Sequence, residues 1–208
     1  MGSIMMHLVV AEEYLKKHKD KDRVEFLRGT IEPDMDIEKQ KLLSEADKHG
    51  THYGKRVGSH SIYEAVNTKI DLFKFLKKNE IDTSCNRGKF LHLIFDDMFY
   101  RLSYSPEWEE IPVEIMGKEW CYEFDRINHH IAKKYGIKLV FPLPEFILRC
   151  LDEPTKYVSL DDFDRFVEVL RGFDLNRAKE EILKDYEGWR EKFYKEFGRR
   201  PKKSEKII

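Results

Sequence analysis

An all-α fold, built as a single multi-helix domain, is predicted by two observations. Apolar residues recur at helical spacing in segment after segment, most of them bounded by a capping residue, while the period-two alternation of a half-buried strand is nearly absent. With 208 residues, 41% hydrophobic and 13% aromatic, the chain has material for one well-buried core. No internal repeat is present. The expected domain covers residues 1–198, followed by a basic, flexible tail over 199–208.

The first periodic segment runs from His7 to His18, with His7, Val10, Ala11, Tyr14 and Leu15 on one face. A short helical piece, Arg23 to Arg28, is expected to run into a fixed loop at Gly29-Thr30-Ile31-Glu32-Pro33-Asp34, where glycine and proline oppose further helix. The stretch Asp47-Lys48-His49-Gly50-Thr51-His52-Tyr53-Gly54 has no clear period and reads as a loop. Ser61-Ile62-Tyr63-Glu64 matches a capping box and predicts a helix to about Lys78. The next helix is expected from about Asn86 to Ser105-Pro106, and another from about Lys118 to Tyr135, stopped by Gly136. Pro142 and Pro144 precede a short segment, Glu145 to Leu151. Ser159-Leu160-Asp161-Asp162 then caps a helix carrying Phe163, Phe166, Val167 and Leu170, and Asp174 caps a last long helix reaching about Phe197. Only Ile137 to Phe141 competes as a strand.

Composition excludes several function classes. The 38 basic residues are balanced by 39 acidic ones, so no global field steers nucleic acid or an anionic membrane. Cys85, Cys121 and Cys150 are odd in number and widely separated, which opposes a disulfide framework or a CxxC zinc knuckle. No apolar stretch approaches the roughly 18 residues of a membrane span, and no cleavable signal is recognisable; a cytoplasmic location is expected.

The chemistry concentrates in Phe90-Leu91-His92-Leu93-Ile94-Phe95-Asp96-Asp97-Met98-Phe99-Tyr100-Arg101. Positions i and i+4 of a helix share a face, so His92 and Asp96 point together into apolar surroundings. A carboxylate placed there must be neutralised, hydrogen-bonded or bound to a cation, and a metal ion satisfies both groups at once. Taken singly, His7 reads more readily as a hydrogen-bonded core histidine, Asp34 as a turn or cap residue, and His52 as a surface residue. In order along the chain, His7, the Gly29-to-Asp34 segment, Thr51-His52-Tyr53 and His92-x-x-x-Asp96 make a mixed nitrogen and oxygen ligand set.

That order resembles the bacterial zinc-dependent phospholipase C family, which is related to the fungal single-strand, zinc-dependent nucleases. The resemblance covers roughly the first half of the chain. It implies the helical fold of that family and a zinc site formed by Asp34, His52, His92 and Asp96, with His7 on an ion that Asp96 bridges. It also implies a carboxylate, Asp34, beside the attacking water, where it is the candidate general base. Family members with three zinc ions use an N-terminal amine beside a tryptophan and a second helical histidine followed by an acid. Here no tryptophan precedes His7, and Asp125-x-x-x-His129 has the order reversed. Asp125 and His129 are candidates for a second metal or the substrate, with a solvated face the competing reading. One or two zinc ions are expected, with a third left open.

The expected function is metal-dependent hydrolysis of phosphate esters by zinc-activated water, on a small-molecule or lipid phosphoester. Lys55 and Arg56 are candidates for holding phosphate, though loop cations are commonly just solvated. Phe95, Phe99, Tyr100 and Trp108 would suit acyl chains or bases if they formed a lip, or else belong to the core. The alternative is a helical metal-binding or interaction protein without catalytic activity. An HD-type phosphohydrolase is set aside, because no histidine is followed directly by aspartate.

Overall fold

Helix starts follow from side chains that satisfy the free N–H groups of a first turn. In the computed structural model, which describes residues 3–54, 70–103 and 113–197, Ser3 accepts from the Met6 N–H and opens α1 (Ile4–Lys17). Asp22 does the same for α2 (Arg23–Ile31). Ser44 caps α3 (Glu45–His52), and Asp71 caps α4 (Leu72–Lys78). The long helices α5 (Ser84–Ser103) and α6 (Val113–Lys134) follow. A single 3-10 turn, Glu145–Leu148, separates them from α7 (Leu160–Arg171), α8 (Leu175–Lys184) and α9 (Tyr186–Phe197). The fold is all-α, with nine α-helices among the described residues.

Among the described helices, α2 and α5 pack most extensively, and two glycines let them approach. A Cβ on Gly29 would lie 2.0 Å from the Cys85 carbonyl oxygen, and one on Gly88 would lie 2.1 Å from that of Phe26. Only hydrogen fits at these crossings. This is why Gly29, Thr30 and Ile31 continue α2 rather than starting the expected loop: the glycine serves helix contact, and the chain turns only at Pro33. Arg87 also ties α5 to the α1–α2 connection, donating from Nε and Nη2 to the Asp20 carboxylate at 2.6 and 2.9 Å. Phe26, Leu27 and Ile31 from α2 meet Phe90, Leu91, Ile94 and Phe95 from α5 in one core, with α1 packed over them. Beyond Phe95, the stack passes to Phe99 at 5.1 Å and Phe166 of α7 at 5.5 Å.

Several expectations are corrected. The 47–54 segment is mostly helical, because the Ser44 cap compensates for Gly50 and because Thr51 anchors its end by donating to the Pro33 carbonyl at 2.7 Å. A continuous helix to Lys78 is not formed. Ile70 bridges Tyr53 and Asp71 is extended, so α4 starts afresh at Leu72; the capping box at Ser61 lies outside the described residues. α6 begins at Val113 rather than Lys118. The last long helix is two helices, divided at Asp185, whose extended backbone and acceptance from the Gly188 N–H begin α9. Ile137 to Phe141 form no strand. Instead, Met35–Asp36 (β1) and Lys41–Leu42 (β2) make a short antiparallel ladder that the sequence reading missed. Residues 199–208 lie outside the described residues.

Two buried polar contacts complete the frame. Arg190 of α9 donates to both oxygens of Asp97 on α5, each at 3.1 Å. The buried Glu123 carboxylate of α6 accepts the N–H groups of Lys156, Tyr157 and Val158, fixing the approach to α7. No described helix is long and apolar enough to cross a membrane.

Candidate metal centre

Packing of α1, α2, α3 and α5 brings His7, Asp34, His52, His92 and Asp96 into one buried cluster. His7 lies one turn into α1, and His92 and Asp96 share a face of α5. Asp34 follows α2, where its carbonyl accepts from the Leu43 N–H at 2.9 Å and the β-ladder fixes the backbone on its far side. His52 ends α3. His7, Asp34, His92 and Asp96 each present a ligand atom within 4.8 Å of the others, and His52 joins them through His92 and both carboxylates.

Hydrogen bonds on the outer ring nitrogens fix what two of the histidines can do. His92 Nδ1 is 2.7 Å from the Thr30 carbonyl oxygen, and His52 Nδ1 is 3.0 Å from that of Lys48. A carbonyl only accepts, so each Nδ1 carries hydrogen and, in the neutral ring, each Nε2 presents a lone pair. Those two Nε2 atoms face each other at 3.3 Å. Asp96 Oδ2 completes the triangle, 3.3 Å from His52 Nε2 and 3.5 Å from His92 Nε2. Three converging acceptors are satisfied by a metal ion between them or by a proton on one of the rings.

Each carboxylate presents its two oxygens to different histidines. Asp96 Oδ1 lies 3.3 Å from His7 Nε2, while Oδ2 faces His52 and His92. Asp34 Oδ2 lies 3.7 Å from His7 Nε2, and its Oδ1 lies 3.7 Å from His52 Nε2. His7 itself is held by ring packing, stacked on His92 at 3.7 Å and edge-on to Phe95 at 4.9 Å. It is completely buried, and neither of its ring nitrogens makes a hydrogen bond. Such a histidine is costly unless it binds something else.

Electrostatics suit metal ligation. Burial, reinforced by neighbouring His92, lowers the His7 pKa to about 4, and burial also lowers that of His52, so both rings are neutral at neutral pH. Burial opposes ionisation of Asp34, but the Lys48 ammonium and then His92 and His52 outweigh it and hold the carboxyl near 2. Asp96 is likewise held well below the usual carboxylate range, burial being outweighed by its three histidine neighbours. His92 moves upward: burial resists its charging, but the hydrogen bond to Asp96 and the charges of Asp96 and Asp34 prevail. His92 can therefore hold a proton where a metal would otherwise sit.

The separations fit a metal ion. A tetrahedral zinc site with bonds of roughly 2.0–2.1 Å has donor atoms about 3.3–3.4 Å apart. The triangle of His52, His92 and Asp96 has edges of 3.3, 3.3 and 3.5 Å. Its outer-shell carbonyls, from Thr30 and Lys48, orient the ligating rings.

The remaining candidates do not converge here. Asp125 pairs with Arg149 at 3.0 Å and His129 with Asp152 at 3.1 Å, so both have partners within the protein and join no metal-like group among the described residues. Lys55 and Arg56 lie outside the described residues. Phe95 and Phe99 are core residues rather than a lip; Trp108 and the Tyr100 side chain are outside the description. Sequence reading missed Lys48, whose Nζ lies 3.0 Å from Asp34 Oδ1 with the side chain only 10% exposed. Its signal was the spacing Lys48-x-x-x-His52, meaningful only once the segment is helical. Comparison with protein-family models, curated proteins and solved structures returns no match.

Proposed function

We propose that this chain is a zinc-dependent phosphoesterase resembling the bacterial phospholipase C family, with His7, Asp34, His52, His92 and Asp96 as its metal shell. The observation that carries the reading is the buried triangle of acceptor atoms beside His7, whose nitrogens lack hydrogen bonds. When bound there, zinc supplies Lewis acidity, acidifying water and withdrawing charge from a phosphoryl group. His52 and His92 would present their Nε2 atoms to it, because their Nδ1 hydrogens are committed to carbonyls. Asp96, with Oδ1 near His7 and Oδ2 near His52 and His92, would help hold the metal and balance its charge. Asp34 suits ligation better than general-base work, since a carboxylate held near 2 has little affinity for a proton at neutral pH.

A closed, structural metal is the second reading, favoured by the near-complete burial of every ligand. The two readings separate by experiment. Protein purified without a polyhistidine tag should contain zinc by elemental analysis. Wild type should hydrolyse a generic phosphodiester or phosphomonoester in a chelator-sensitive manner, and Asp34→Asn should reduce that rate by at least about tenfold. Metal without hydrolysis would support the structural role; absence of tightly bound transition metal would remove both readings.

A further inference from the structure

Lys48 is a cation placed inside the ligand set. It projects from the turn of α3 that precedes His52, and its two polar ends serve different ligands. Its carbonyl accepts from His52 Nδ1 at 3.0 Å, while its ammonium sits 3.0 Å from Asp34 Oδ1. That ammonium shares the carboxylate oxygen that also faces His52 at 3.7 Å. At 10% side-chain exposure, it has exchanged most of its water for this contact.

Charge counting shows the consequence. With neutral histidines, Asp34 and Asp96 bring two negative charges, which one divalent ion balances. Lys48 adds a further positive charge, so a second divalent ion enters a centre that is already net positive. Repulsion between buried charges a few ångströms apart is weakly screened.

We propose that Lys48 is the centre's built-in cation, which takes up Asp34 and makes the site hold one divalent ion tightly and a second only weakly. The inference rests on the metal-centre reading and assigns its occupancy. Lys48 acts through Asp34 and is a positioning residue.

The test counts zinc ions on metal-free protein by native mass spectrometry and measures their affinities by calorimetry, with cobalt absorption reporting ligand geometry. Lys48→Met keeps the length and apolar stem of the side chain; Lys48→Arg keeps the charge. The expected result is that Lys48→Met binds the second zinc ion at least about tenfold more tightly than wild type, while Lys48→Arg does not. Unchanged or weaker second-ion binding in Lys48→Met, with the first ion still bound, would overturn the inference and leave the metal centre standing. If wild type and both variants remain folded by circular dichroism and bind no zinc, the metal-centre reading falls and the inference with it.

Discussion

At His92, the ring is held by Thr30 on one nitrogen and aimed at Asp96 and His52 with the other, and its pKa is raised. The protonated ring cannot ligate, so zinc must displace that proton. The sign follows: below the raised pKa, affinity falls as pH falls, by about tenfold per unit for each proton displaced. Calorimetry at pH 6 in buffers of different ionisation enthalpy should show proton release to buffer on zinc binding. Equal heats in all buffers would contradict this. His92 and Asp96 were legible in the sequence because an i, i+4 polar pair inside an apolar run conflicts with burial unless it has a function. His7, Asp34 and His52 were legible only through their order along the chain, since each alone suits a core or turn position. Lys48 was not legible: a lysine between Asp47 and His49 in a glycine-containing segment looks solvated until the surrounding helix and the position of Asp34 are known.

The α2–α5 crossing connects this chemistry to the fold, because α2 leads into Asp34 and supplies the Thr30 carbonyl, while α5 carries His92 and Asp96. Gly88 admits no side chain there, since its Cβ would meet the Phe26 carbonyl at 2.1 Å and the Thr30 nitrogen at 2.8 Å. Backbone atoms cannot rotate away as a flexible side chain can. Gly88→Ala should therefore push the helices apart, costing about 1–3 kcal/mol or more in chemical denaturation and lowering zinc affinity through the displaced Thr30. Wild-type stability and zinc affinity in this variant would refute the close crossing. The same contact explains an error at the sequence level. Local propensity marks Gly29 as a helix stop, whereas the tertiary approach of Cys85 selects glycine within a helix. The opposite error occurred at Asp185, where helical apolar spacing continues through a side-chain cap that starts α9.

For the molecule as a whole, periodicity identifies an all-α architecture because most helices must bury an apolar stripe, but the bends between helices depend on caps and contacts with little sequence signal. The candidate ligands come from α1, the α2–β1 connection, α3 and α5, so an ion bound to them links separate parts of the chain and favours the folded state by mass action. At zinc one hundred times above the dissociation constant, this linkage is about 2.7 kcal/mol. For a domain of this size, each kcal/mol moves the melting temperature by about 2–4 °C, so zinc should raise it by roughly 5–11 °C. Stoichiometric chelator should reverse the gain, and Asp96→Asn should largely abolish it by removing the negative charge and one of the two oxygens that face His7 and His52. A wild-type melting temperature indifferent to both zinc and chelator would mean that the converging acceptors are bridged by the His92 proton alone. Retention of the full zinc shift in Asp96→Asn would instead place the ion elsewhere.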